Sequence, residues 1–212
     1  MRIPYIREAD IQSVAAEELT QFGVANRMPV DVELLIEGKL GMEIIPIPGL
    51  QRTHGVDGFL SQDCLTIRVD EGVMKNVSTR YRFTLAHELG HYFLHGEIIK
   101  KHINSIESER EPMLWETLSQ EEYARAEFQA HVFASALLIP SVPLQEHFQH
   151  ATSNLSKLGR SFEMLEDASK MRVVRACAAT FDVSPGALRV RLIREGFVKE
   201  FSEPGRGDDY HG

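Results

Sequence analysis

His87, Glu88 and His91 have the residue types and the spacing to do chemistry together. They stand in His87-Glu88-Leu89-Gly90-His91, inside the segment Tyr81 to His95. On an α-helix each residue turns about 100°, so positions four apart share a face, one turn apart. His87 and His91 then offer two imidazole nitrogens to one cation. Glu88 reaches a water on that cation but lies too far round the helix to be an equivalent ligand. Metal-assisted hydrolysis of a peptide bond needs this division of labour. Phe83, Leu85, Ala86, Leu89, Tyr92, Phe93 and Leu94 make the segment apolar nearly all the way round, as in a helix enclosed by protein. Two histidines and a glutamate in such a place are costly unless paired or metal-bound, which argues against a chance grouping.

A catalytic zinc site needs three protein ligands and one open position. A third histidine six residues after His91, with glycine at 94, is one solution. This chain has Leu94 and Glu97, so that solution fails. A glutamate from a second helix is the other, and residues Glu121 to Leu138 have the periodicity to supply it. Glu127 is the best candidate there, amid Ala126, Ala130, Val132 and Ala134, where small residues allow close helix approach. Glu121 and Glu122 sit at the polar helix start, where acids complement the helix dipole. His131, one turn beyond Glu127, can orient a ligand or compete for the metal. Tyr81, Tyr92, Tyr123, His95 and His131 are candidates for a donor to the transition state. His95 continues the row from His91, and as a residue of the last helical turn it more readily serves structure than metal.

Two stretches carry a resemblance. Arg82-Phe83-Thr84-Leu85-Ala86-His87-Glu88-Leu89-Gly90-His91 and Glu127-Phe128-Gln129-Ala130-His131-Val132-Phe133-Ala134, continuing to Ile139-Pro140, resemble the ImmA/IrrE family of zinc metallopeptidases. Pro29 to Glu33 and Val56 to Leu60 are similar to that family's early helix and to its strand beside the site. The resemblance extends over about residues 6 to 196. It implies Zn2+ held by His87, His91 and Glu127, with Glu88 as general base. It implies a substrate strand running along Gly58, Phe59 and Leu60. It also implies a protein substrate in the cytoplasm, a transcriptional repressor of mobile elements or of stress genes, encoded nearby. The family usually has asparagine where this chain has His131.

The elements that must position these residues follow from periodicity and punctuation. Helices are expected over Ile6–Phe22, Val30–Glu37 closed by Gly38, Tyr81–His95 ended at Gly96, Glu121–Leu138, Ser141 to about His150, Glu166–Thr180 and Pro185–Ile193. Strands are expected over Met42–Ile47, Val56–Ser61 and Leu65–Val69. Gly55 and Gly58 allow close backbone approach. The predicted class is α+β: mainly helical, with a small three-stranded sheet beside the metal helix. One domain over residues 1–200 is expected, with a helix-turn-helix-like region at 167–196 and a disordered tail at 201–212. Residues Lys100 to Gln120 read as a surface excursion, and Ala151 to Arg160 as loose chain.

Composition limits the alternatives. The chain has 212 residues and a formal net charge of −8, which disfavours a polyanion as default partner. Two distant cysteines, Cys64 and Cys177, read as reduced thiols of a cytoplasmic protein. Neither a signal peptide nor a membrane span is expected. A DNA-binding regulator is the competing reading, since Val173 to Leu192 has a helix, a tight turn and a helix bearing Arg189, Arg191 and Arg194. A metal-bearing interaction protein with little proteolysis is the other.

Overall fold

The computed structural model describes residues 2–103 and 118–202. The chain divides into two compact units, Met1–Leu138 and Ile139–Gly212, where the sequence reading expects one domain over residues 1–200. The expected α+β class is observed: a mainly helical chain with one three-stranded sheet.

The first unit begins with α1, Glu8–Gln21, which buries Ile11, Ala15 and Leu19. A π-helical segment follows at Leu34–Lys39. It runs through Gly38, the expected stop, because Leu35 and Ile36 anchor it in the core. Strand β1 is Glu43–Ile47, β2 is Gly58–Leu60 and β3 is Thr66–Asp70. The order is β1-β3-β2, with β1 parallel and β2 antiparallel to β3. Two short helices that the sequence reading left out are α2, Leu50–His54, and α3, Glu71–Asn76. Asp70 ties them to the sheet. Its carboxylate accepts from the Val73 and Gln51 amides, each at 3.0 Å. Those backbone donors hold the Asp70 carboxyl below its ordinary value.

Helix α4, Ser78–Ile103, carries the His-Glu pair and packs on β2 and on α5, Gln120–Leu138. From Tyr81 to His95 no residue is exposed, as the apolar pattern predicts. The helix does not stop at Gly96. A mid-helix glycine costs only about 1 kcal/mol, and the buried Ile99 one turn later outweighs that. Most of the expected surface excursion lies outside the described residues.

Two glycines set the distances between these layers. A Cβ on Gly58 would stand 2.7 Å from Thr84 Cγ2 and 2.9 Å from the Arg68 carbonyl oxygen, so only glycine lets β2 pass this close to α4. A Cβ on Gly90 would stand 2.8 Å from Ala130 Cα and 2.9 Å from its carbonyl oxygen. Gly90 therefore brings the α4 and α5 backbones together one turn from Glu127. Gly90→Ala should lower stability despite a helix-propensity gain of about 1 kcal/mol. Overpacking costs about 1–3 kcal/mol, and overlap with backbone cannot be relieved by a rotamer change. A net loss of about 1–2 kcal/mol in chemical denaturation is expected; an unchanged midpoint would show that the helices separate freely.

The second unit holds α6, Ser141–Lys157, a 3-10 turn at Phe162–Met164, α7, Asp167–Phe181, and α8, Pro185–Arg194. Helix α6 continues through residues 151–157, expected to be loose, as a polar extension in which Thr152 and Ser153 hydroxyls bond preceding carbonyls. Phe148, Phe162 and Phe201 form an edge-on aromatic chain in this unit. Helices α7 and α8 are the expected helix pair, turned at Asp182 in the left-handed region and capped by Ser184, whose oxygen accepts from Ala187 N–H at 3.1 Å. The arginines of α8 are largely committed inside the unit. Arg191 is 2% exposed and bonds the Ile139 carbonyl, Ser141 and Glu195. Arg189 donates to the Phe201 carbonyl. The expected tail lies outside the described residues from 203 onward.

Candidate metal centre

Helical spacing puts His87 and His91 one turn apart on α4, and the Gly90–Ala130 contact sets α5 beside them. The result is a triangle of ligand side chains. His87 Nε2 and His91 Nε2 are 3.2 Å apart. Glu127 Oε2 is 3.2 Å from His87 Nε2, and Glu127 Oε1 is 3.2 Å from His91 Nε2. A tetrahedral ion with bonds of about 2.0–2.1 Å separates its ligand atoms by about 3.3–3.4 Å. The three separations are close to that size, the two from Glu127 being made by different carboxylate oxygens, and among the described residues these three form the group able to hold a metal ion. The donor set, two imidazoles and one carboxylate, leaves a tetrahedral ion one further position.

Burial alone would raise the Glu127 carboxyl, but its bonds to His87 and His91 outweigh that and hold it well below the usual carboxylate range. Burial likewise lowers His87, yet the bond to Glu127 and the charge of Glu88 more than offset it and leave His87 raised. Glu88 is 5% exposed and lies outside the triangle. Leu60 N–H donates to Glu88 Oε2 at 2.8 Å, so β2 holds the carboxylate that α4 carries. Burial pushes the Glu88 carboxyl up, against the pull of His91 and His87.

The IrrE N-terminal-like domain family (Peptidase_M78) matches residues 75–192. The chain belongs to this family. The match covers α4, α5 and most of the second unit but begins after the sheet. Among solved structures, a Mycobacterium tuberculosis transcriptional regulator is similar in fold, with a TM-score of 0.52 at 16% identity. The likeness covers 89% of this chain and 47% of the regulator, so the chain spans about half of that protein's length. No curated protein matches the chain by sequence. No described helix is long and apolar enough to cross a membrane. Both cysteines are free and buried.

In this member of the IrrE N-terminal-like family, the proposed donors separate by position. Tyr81 donates to Glu33 Oε1 at 2.6 Å and is engaged there. Tyr92 packs edge-on against Phe93, with Lys100 Nζ 5.8 Å from its ring centre. His131 is exposed on α5, its ring 4.9 Å from that of Phe83, and it is not part of the metal group. Tyr123 bonds Glu127, and burial together with that carboxylate pushes its hydroxyl up to about 12, so it stays a proton donor at neutral pH.

His95 differs from its expected role. Because α4 runs on, it meets no free helix-end carbonyl. It is fully buried, with Nδ1 3.1 Å from His91 Nδ1 and Nε2 2.8 Å from Gln129 Oε1. Gln129 went unrecognised in the sequence, although a glutamine inside an alanine-rich helix face is a sign of a buried polar partner. Burial and the neighbouring charge of His91 depress His95 to about 4. The unfolded chain therefore binds a proton there between about pH 6.5 and pH 4 that the folded chain refuses, and this contribution to stability is lost as pH falls through that window. Glu88, raised, works in the opposite sense, so the wild-type curve alone is not diagnostic. The stability advantage of the metal-free wild type over His95→Asn should shrink by at most about 3 kcal/mol between pH 7 and pH 4. Denaturant melts of both chains across that range test this; a constant difference would show that His95 titrates normally.

Proposed function

We propose that this chain is a zinc-dependent endopeptidase acting on a cytoplasmic regulatory protein, a transcriptional repressor encoded nearby. The observation that carries this reading is the His87–His91–Glu127 triangle at zinc size with a buried Glu88 beside it. Membership of a peptidase family supports it, as does the size of the ligand triangle. One functional domain over residues 1–200 is part of this proposal, and the family match runs through parts of both compact units. His87, His91 and Glu127 would hold the zinc, which would supply Lewis acidity toward a water and the scissile carbonyl.

The chain's own residues supply the rest. Glu88 accepts a proton at its carboxylate as water attacks, then returns it to the leaving nitrogen. Its raised carboxyl suits both halves of that task better than an ordinary glutamate. Tyr123 O–H, bonded to Glu127 in the metal-free chain, turns from that carboxylate to donate to the oxygen on which negative charge develops. Substrate binds extended along β2. Asp57 and Ser61 bond β3 on one side, so alternation directs the Gly58 and Leu60 backbone groups to the other edge. Leu60 N–H is spent on Glu88, leaving Gly58 and the Leu60 carbonyl for a substrate strand, with Phe59 lining it.

DNA binding through α8 is not proposed, because Arg189 and Arg191 serve the interior of their own unit. The test is incubation of purified chain with candidate repressors, with and without a chelator. Chelator-sensitive cleavage, restored by zinc, is expected. Repressor binding without cleavage would leave an interaction protein instead.

A further inference from the structure

The metal group is backed by a line of buried hydrogen bonds that ends on the N-terminal segment. Pro4 has a carbonyl and no N–H, so it can only accept. Gln129 Nε2 lies 2.8 Å from the Pro4 oxygen and must donate to it. That fixes the amide: Gln129 Oε1 faces His95 Nε2 at 2.8 Å and accepts from it. The opposite amide orientation would set two oxygens against each other. With its proton on Nε2, neutral His95 presents a bare Nδ1 to His91 Nδ1 at 3.1 Å. One of two nitrogens in such a contact must donate, so His91 carries its proton on Nδ1. That leaves Nε2, 3.2 Å from Glu127 Oε1, as the atom at which an ion would take the place of a proton.

We propose that Pro4, Gln129 and His95 form a relay that fixes the tautomer of His91, making His95 and Gln129 positioning residues for the metal. The inference rests on the metal reading given above and extends it to residues outside the ligand set. Burial makes the relay effective. His95 is 0%, Gln129 1% and His91 4% exposed, so water cannot supply a substitute partner. The same line links the ion to the docking of the N-terminal segment. Ile3 is fully buried and its carbonyl accepts from Arg125 Nη1 at 3.0 Å, which seats the Pro4 carbonyl over α5.

The relay is tested on the full chain by two measurements. Long-range proton–nitrogen NMR of the metal-free protein should show His91 protonated on Nδ1 and His95 on Nε2. Zinc competition against a chromophoric chelator should show His95→Phe and Gln129→Leu weakened by about 10–100-fold, the range for lost partners of ligating histidines. His95→Asn restores an acceptor near the position of Nδ1 and should recover most of that affinity, whereas the ring-sized His95→Phe should not. Equal affinities for wild type and His95→Phe, or equal losses for His95→Phe and His95→Asn, overturn the relay. So does a spectrum with no proton on His91 Nδ1, which is decisive even where a variant does not fold. A wild-type chain that binds no zinc overturns the metal reading instead, and the spectrum still decides the relay.

Discussion

Glu88→Gln should leave zinc bound and lower peptide cleavage by about 10²–10⁴-fold, the contribution of a positioned proton-transfer group. The substitution keeps size and one oxygen acceptor. Leu60 N–H can therefore still hold the side chain, as it holds Glu88 at 2.8 Å. What disappears is the capacity to take a proton. Because Glu88 is buried and its carboxyl is pushed up by that burial, the amide also removes an ionisable group from an unfavourable place. The variant should consequently melt no lower than wild type. Zinc content by elemental analysis, cleavage rate and melting temperature together check this. A variant cleaving at more than about a tenth of the wild-type rate would assign the base elsewhere. Loss of zinc along with activity would make Glu88 part of the ligand set.

The second large effect is expected at Glu127. Zinc binding in four-ligand sites amounts to about 10–16 kcal/mol, so one ligand accounts for about 3 kcal/mol, or about a hundredfold in affinity. Glu127→Ala removes the carboxylate that faces both Nε2 atoms at 3.2 Å. It also removes the charge that raises His87, so protons compete with zinc less strongly at that residue. The measured loss should therefore be smaller at pH 6 than at pH 8, where competition is weak in both chains. One tight equivalent of zinc retained by Glu127→Ala would mean that another residue completes the site.

The metal group was the most legible part of the sequence, for a physical reason. Helical period alone fixes the relation of His87, Glu88 and His91, and no tertiary information is required. Glu127 was nearly as legible, since an acid among Ala126, Ala130 and Ala134 implies a close helix neighbour that needs it. Strands β2 and β3 were readable from two neighbouring apolar runs, but the parallel pairing of β1 with β3 was not, because strand patterns carry no sign of direction. The short helices α2 and α3 were hidden because five or six residues do not complete a period. Gly96 and residues 151–157 misled for opposite reasons. In the first case packing overrides a local breaker, and in the second a solvent-facing helix needs no apolar stripe. Gln129 carried a local sign of a buried partner, but which residue that is, and what the Leu60 amide meets, were beyond the sequence, since the partners lie 34 and 28 residues away.

The imidazoles and the carboxylate of the centre ride on separate helices, held at contact distance by a glycine. A captured ion thus fastens two pieces of scaffold that are separate elements of the chain. Heat resistance of the first unit becomes a gauge of free ion in the medium, gaining about 2.7 kcal/mol when that ion is a hundred times its dissociation constant.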